Sequence, residues 1–130
     1  MRNLTEAEKQ SFINDFPNLD VEKVLCTQEA SSDYSCISFA VGVRDRWINA
    51  RDVKVDSMFN DYEFTDNEDD AEIALYYNNN ELSHAARKNY YYNCWESKCG
   101  GNVGILHTIE ELRGDYYGDT VYFLRRKQND

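Results

Sequence analysis

Apolar residues recur at helical spacing near the start of this chain and at strand-like spacing in its second half. Thr5 and Glu8 stand three residues apart, as the N-cap and N3 positions of a capping box, and Phe12, Ile13 and Phe16 follow at intervals of a helical face. A helix is therefore predicted from about residue 5 up to Pro17, the single proline, with its apolar face used for packing. The stretch VEKVLCTQEASSD passes through a short extended piece to a polar Ser/Asp turn at 31–33. YSCISFAVGV then places apolar or small residues at 36, 37, 39, 40, 41 and 43. That density is too high for a half-exposed strand and predicts a buried helix from about Ser35 to Gly42.

Residues 44–70 are polar and irregular, with Trp47, Phe59, Tyr62 and Phe64 as anchors to the core and room for one short helix. From residue 71 the pattern changes. AEIALYY, ELSHAARK, YNCWESKC, VGILHT and TVYFLRRK are short aromatic or β-branched runs separated by Asn and Gly, the signature of an antiparallel meander. TIEELRG, 108–114, fits one or two helical turns capped by Thr108 and ended by Gly114. The expected class is α+β, with N-terminal helices packed on an antiparallel sheet of about five strands. One domain spans 1–130: 1–50 mainly helical, 51–70 an irregular acidic loop region, 71–130 the sheet.

A chain of 130 residues, 42% of them hydrophobic, can bury one ordinary core without disulfide staples. Acids outnumber bases 24 to 14, for a net charge of −10. Nucleic acid and anionic membrane surfaces are thereby excluded as partners, since phosphate contacts need clustered Lys and Arg. The densest charge run, DNEDDAE at 66–72, reads as a solvated loop. No apolar segment resembles a secretory signal or a membrane span, so the chain reads as soluble and cytoplasmic, and Cys26, Cys36, Cys94 and Cys99 as free thiols.

Free thiols raise the question of reactivity. At the first turn of a helix, unpaired amide N–H groups favour thiolate over thiol and offer an oxyanion hole, which singles out Cys36, whereas Cys26 follows VEKVL and reads as a core thiol. Its partner base is expected on a strand facing the helix start. Alternation in LSHAARK puts His84, Ala86 and Lys88 on one face. A turn at Asn89–Tyr92 pairs Lys88 with Asn93 and sets His84 opposite Ser97, with Glu96 facing away. A one-residue slip exchanges those two, and His107 on the next strand is the other candidate for orienting the imidazole. Cys36 and His84 have equally ordinary readings, as a core cysteine and a hydrogen-bonded structural histidine. A zinc site from Cys94, Cys99, His84 and His107 lacks the paired Cys-x2-Cys knuckle, so no metal is expected. Trp95 lies two residues from Ser97 on the same face and reads as packing or as the wall of a substrate groove. Lys98 reads as surface charge or a carboxylate binder, and Tyr34 as a turn-packing residue or an oxyanion donor.

FPNLD (16–20), YSCISFAVGVRDRW (34–47), IALYYNNNELSHAARK (73–88), WESKCG (95–100) and ILHTIEELRGDYYGDTVYFLRR (105–126) together resemble an uncharacterised bacterial domain family. Its members carry Tyr-Asn-Cys-Ile-Ala-Trp-Ala, Trp-x-Ser-Lys-Leu-Gly and Leu-x-Gly-x-x-Tyr-Gly motifs. That family is distantly similar to the NlpC-type branch of papain-fold cysteine peptidases and amidases. The resemblance implies a papain-like fold and a thiol hydrolase or transferase acting on a peptide or amide substrate, such as cell-wall peptide, with Cys36 as nucleophile, His84 as base and Ser97 or His107 as the orienting group. It implies neither metal nor organic cofactor. The rival expectation is an acidic binding protein without catalytic activity, such as an immunity protein matched by charge to a basic protein partner.

Overall fold

The computed structural model describes residues 1–128. Its centre is one antiparallel sheet of eight strands in the order β1-β2-β7-β6-β5-β4-β8-β3. The strands are β1 (Arg2–Asn3), β2 (Leu25–Gln28), β3 (Tyr62–Thr65), β4 (Ile73–Asn78), β5 (Glu81–Asn89), β6 (Cys94–Lys98), β7 (Gly104–His107) and β8 (Thr120–Arg126). Four short helices accompany them: α1 (Glu6–Ile13), α2 (Cys36–Ala40), α3 (Val55–Met58) and α4 (Ile109–Leu112). The expectation of N-terminal helices on a papain-like sheet of about five strands is thus overturned, because the fold is β-rich and the first half contributes three strands. β1, β2 and β3 have two to four residues each, too few to show a period of two, and each becomes a strand only by pairing with a distant one. β3 pairs only with β8, Phe64 opposite Leu124, and β2 pairs Cys26 with Ile105.

Where local signals are strong, the helices obey them. Thr5 Oγ1 accepts from the Glu8 amide at 3.2 Å and Glu8 Oε1 accepts from the Thr5 amide at 2.8 Å, closing the predicted capping box. α1 turns Phe12 inward and leaves Ile13 exposed, while Phe16 packs beyond the helix end. Thr5→Ala is expected to lower unfolding free energy by about 1 kcal/mol, read as a lower urea midpoint at unchanged slope. Thr108 and Glu111 repeat the box at α4. α2 is shorter than its apolar run because Gly42, at φ +82°, turns the chain away one residue after the Val41 cap.

Register divides the side chains into two layers. Trp95 faces His107, Ala74 faces Ala86 and Tyr76 faces His84, and these residues share one side of the sheet. That side is covered by Phe12, Phe16 and Ile109 from α1, its trailing turn and α4. Leu75, Ala85, Ile73 and Leu124 point to the other side, under Ile37 and Ala40 of α2 and the segment 48–58. Between them, β4 and β5 carry a bulge: Tyr76 pairs with His84 but Tyr77 with Leu82, so Ser83 is the extra residue. Its hydroxyl lies between the Tyr76 carbonyl, at 3.1 Å, and the Tyr117 carbonyl, and shares its one proton between these two acceptors. The bulge puts Leu82 in the α2 layer while His84 stays in the opposite one. Among the described residues, no helix is long and apolar enough to cross a membrane.

Candidate catalytic site

Three of the residues singled out from the sequence form one hydrogen-bonded chain. β5, β6 and β7 lie side by side, and Ser97, fully buried, bridges their two histidines: His84 Nε2 lies 2.8 Å and His107 Nε2 2.6 Å from Ser97 Oγ. The observed turn is Tyr90–Asn93, with Asn89 opposite Cys94 and Lys88 opposite Trp95, two residues away from the expected pairing of Lys88 with Asn93. A two-residue slip preserves the faces, which is why His84 and Ser97 still meet although the β5–β6 ladder ends at Arg87 and Glu96.

The direction of the chain follows from its ends. His107 Nδ1 lies 2.7 Å from the Thr108 carbonyl oxygen, which can only accept, so Nδ1 carries the proton and Nε2 is the acceptor in the neutral ring. Ser97 must give its single hydroxyl proton to His107 and accept from His84 Nε2–H. The lone pair of His84 is then on Nδ1, which is buried and without a hydrogen-bond partner. Burial pushes the His107 pKa down to about 4, against a smaller raising effect of the Thr108 carbonyl. His84 is driven well below the ordinary 6.5 by burial, with His107 adding to it. Both rings are neutral at pH 7.

Sequence reasoning missed the wall that holds His84. Tyr117 stacks flat on the imidazole, with ring centres 3.9 Å apart and an interplanar angle of 11°, and Tyr76 meets it edge-on at 5.5 Å. The signal was present in GDYYG, where two glycines close a five-residue loop through Gly118 N donating to Gly114 O at 2.8 Å.

Cys36 belongs to the other layer. It is the first residue of α2, capped by Ser35, whose hydroxyl accepts from the Ser38 amide at 3.2 Å and donates to the Ile48 carbonyl at 2.6 Å. The amides of Ala85, Ile37 and Cys36 itself face the sulfur, so the thiol sits against the peptide unit that follows His84. These amides and Lys98 favour the thiolate, yet burial outweighs them and the Cys36 pKa is raised. The expectation of a helix-start thiolate is corrected accordingly: five residues of α2 give few aligned dipoles, and Cys36 is buried, only 8% exposed as a residue.

The remaining candidates, Lys98, Tyr34 and Trp95, are all buried. Lys98 is fully buried, and its ammonium donates to the carbonyls of Ser31 at 2.7 Å, Gly100 at 2.6 Å and Tyr34 at 3.3 Å. The Tyr34 ring centre lies 4.7 Å from the same ammonium, so all three donors are consumed in pinning the loop that leads into Cys36. Lys98 is neither surface charge nor free to bind a carboxylate. Tyr34 is itself buried, its hydroxyl 3.4 Å from Gln28 Oε1. Trp95 lies in the core beside Phe123 and donates to Glu68 Oε2 at 3.0 Å. The four cysteines are free thiols, and among the described residues no group of three or more His, Cys, Asp or Glu is arranged to hold a metal ion.

Taken together, a polarised His–Ser–His chain and, in the α2 layer, a buried thiol against the Ala85 amide sit on a β-rich single-sheet domain. Residues 25–125 match the family model described as "Domain of unknown function (DUF7689)", and the chain belongs to that family. No curated protein and no solved structure gave a match to the chain.

Proposed function

We propose that this chain is a thiol hydrolase or transferase acting on an amide bond, with Cys36 as nucleophile and His84 as general base. The observation that carries the reading is the unpartnered Nδ1 of His84, left as a lone pair by the one-way chain through Ser97 and His107. An imidazole held in one tautomer with its basic nitrogen free is what proton transfer from a thiol requires, and the Cys36 thiol reaches the peptide unit that follows His84. In the reaction, the Cys36 proton passes to His84 Nδ1 as the sulfur attacks the carbonyl carbon. The leaving amine takes that proton as the tetrahedral intermediate collapses to a thioester, which water or an acceptor amine then cleaves. Ser97 accepts from His84 Nε2–H throughout and keeps the ring oriented. Because the thiol is neutral at rest, catalysis draws on His84 at the moment of attack and not on a preformed thiolate. His84 is covered by Tyr117, so substrate access requires that ring to withdraw.

The test is iodoacetamide alkylation at each cysteine, followed by mass spectrometry in the parent and in His84→Gln, with the half-buried Cys94 as internal reference. The Cys36 rate is expected to fall at least about tenfold in the variant while that of Cys94 stays constant. Equal Cys36 rates in the two proteins would rule the dyad out.

One observation favours a second reading, the acidic binding protein: residues 66–70 are all exposed, and Asp66, Glu68, Asp69 and Asp70 cluster there without an equal number of bases. Its partner would be basic, and affinity for it would fall steeply with salt.

A further inference from the structure

Away from the histidine chain, on the α2 side of the sheet, three aromatic rings cross the strands diagonally. Phe64 on β3 faces Leu124, Tyr122 on β8 faces Leu75, and Tyr77 on β4 faces Thr120, so each ring is offset by two residues from the next and within reach of it. Tyr122 lies 5.9 Å from Phe64 at 72° and 5.3 Å from Tyr77 at 84°. Two rings thus stand nearly perpendicular to a third. With Asn80 and Thr120 they line a hollow of about 220 Å³. Tyr77 packs against the core cluster under α2, whereas Phe64 and Tyr122 remain 56% and 48% exposed, an unusual outlay of aromatic surface.

Packing does not explain this arrangement, but the electrostatics of aromatic faces suggest a ligand. Each ring presents a negative face, and the three rings border one small volume, which suits a compact organic cation of low hydration. The lining residues include no Lys or Arg. Asp56 is near enough to add to burial in raising the Tyr77 hydroxyl pKa, and the whole chain carries −10. The neighbouring hollow, which shares Tyr77, brings Arg51 and Glu81 together, so its charges offset one another. An anion would meet repulsion here, and a neutral apolar group would forgo the attraction of the faces.

We propose that Phe64, Tyr77 and Tyr122 form an aromatic cage that binds a small organic cation bearing a quaternary ammonium group, with Asn80 and Thr120 available to hydrogen-bond its polar arm. The cage is independent of the Cys36–His84 reading and stands whether or not that dyad is active.

The experiment titrates choline into the protein and follows the upfield shift of its methyl protons by NMR, with 3,3-dimethylbutan-1-ol as the uncharged isostere. Choline is expected to bind with a dissociation constant on the order of 1 mM or below. The isostere should bind at least about tenfold more weakly, since it keeps the shape and loses the charge. Tyr122→Leu and Phe64→Leu should each weaken choline about tenfold, and both side chains are exposed enough for the sheet to survive their loss, as circular dichroism would verify. Phosphocholine in a parallel titration distinguishes a lipid-type headgroup from the free cation, and a methyl shift with either one supports the cage. Equal affinity for choline and its isostere overturns the proposal, as does unchanged choline binding in both variants or no shift with choline or phosphocholine up to about 10 mM.

Discussion

Gly118→Ala is expected to abolish the native fold or leave it weakened by roughly 4 kcal/mol or more. Gly118 holds φ +98°, and a Cβ there would overlap the Tyr77 carbonyl oxygen and stand 2.6 Å from the carbonyl carbon and 2.8 Å from Asn78 Cα. Those are backbone atoms of β4, paired with β5 at both residues and with β8 at Tyr77, so they cannot yield as a flexible side chain would. The contact also sets the position of the preceding residue, Tyr117, over His84. If the variant folds at all, the stacked ring is displaced. Gly42 is the control: it holds φ +82° with nothing within 4 Å of a built Cβ, so Gly42→Ala should cost only the left-handed backbone penalty, about 1 kcal/mol. Urea unfolding of both variants checks the pair, and a Gly118→Ala midpoint equal to the parent's would show that β4 moves aside more easily than its pairing implies.

Acid should destabilise the protein through its two buried imidazoles. Unfolded histidine takes its proton near pH 6.5, whereas folded His107 takes one only near pH 4. Between those values the unfolded state holds more protons, so unfolding free energy falls as pH falls. The contribution is fully present above pH 6.5 and lost progressively down to about pH 4, amounting to roughly 3 kcal/mol for His107 alone. His84, shifted in the same direction, adds to the loss over the same range. Carboxylates titrate in the lower part of this window, so the diagnostic quantity is the difference between the parent and His107→Gln. The pH slope of stability between about 5 and 6.5 should drop by about 1 kcal/mol per pH unit in the variant. By NMR, neither imidazole of the parent should titrate above pH 5, and a ring titrating near 6.5 would contradict the burial argument.

Signals confined to a few residues were legible in the sequence. Thr5 with Glu8 and the cap Thr108 each specify a helix start within a few residues; the first box closes as expected, and Thr108 caps α4 with Glu111 completing a second box. The five strand runs after residue 71 appear as β4 to β8, because alternation over four to nine residues decides a face locally. The pairing of His84 with Ser97 could be foreseen for the same reason: an error of two residues in the turn leaves parity intact. Features that depend on distant partners were not legible. TyrGluPheThr at 62–65 looks like loop until Arg125 and Leu124 are beside it. Lys98 in isolation is a surface residue by type, and only three converging carbonyls make a buried ammonium tolerable. For Cys36 the sequence indicated the helix start but not the depth of burial, and burial decides the sign of its pKa shift. Tyr117 escaped because GDYYG marks a closed loop without saying which ring its tyrosines stack on.

The position of β8 also bears on how the protein is made. The last strand in sequence lies between β4 and β3, and it supplies the ladder on which β3 depends. Synthesis from the N-terminus therefore leaves a gap one strand wide until residues 120–126 have emerged, and the sheet cannot close in step with elongation. In that interval β4 is open along one side and Tyr62 and Phe64 have no strand to join, so a nascent copy meeting another could borrow its β8. Strand exchange between copies, favoured by crowding on a shared messenger, is the misassembly this topology invites.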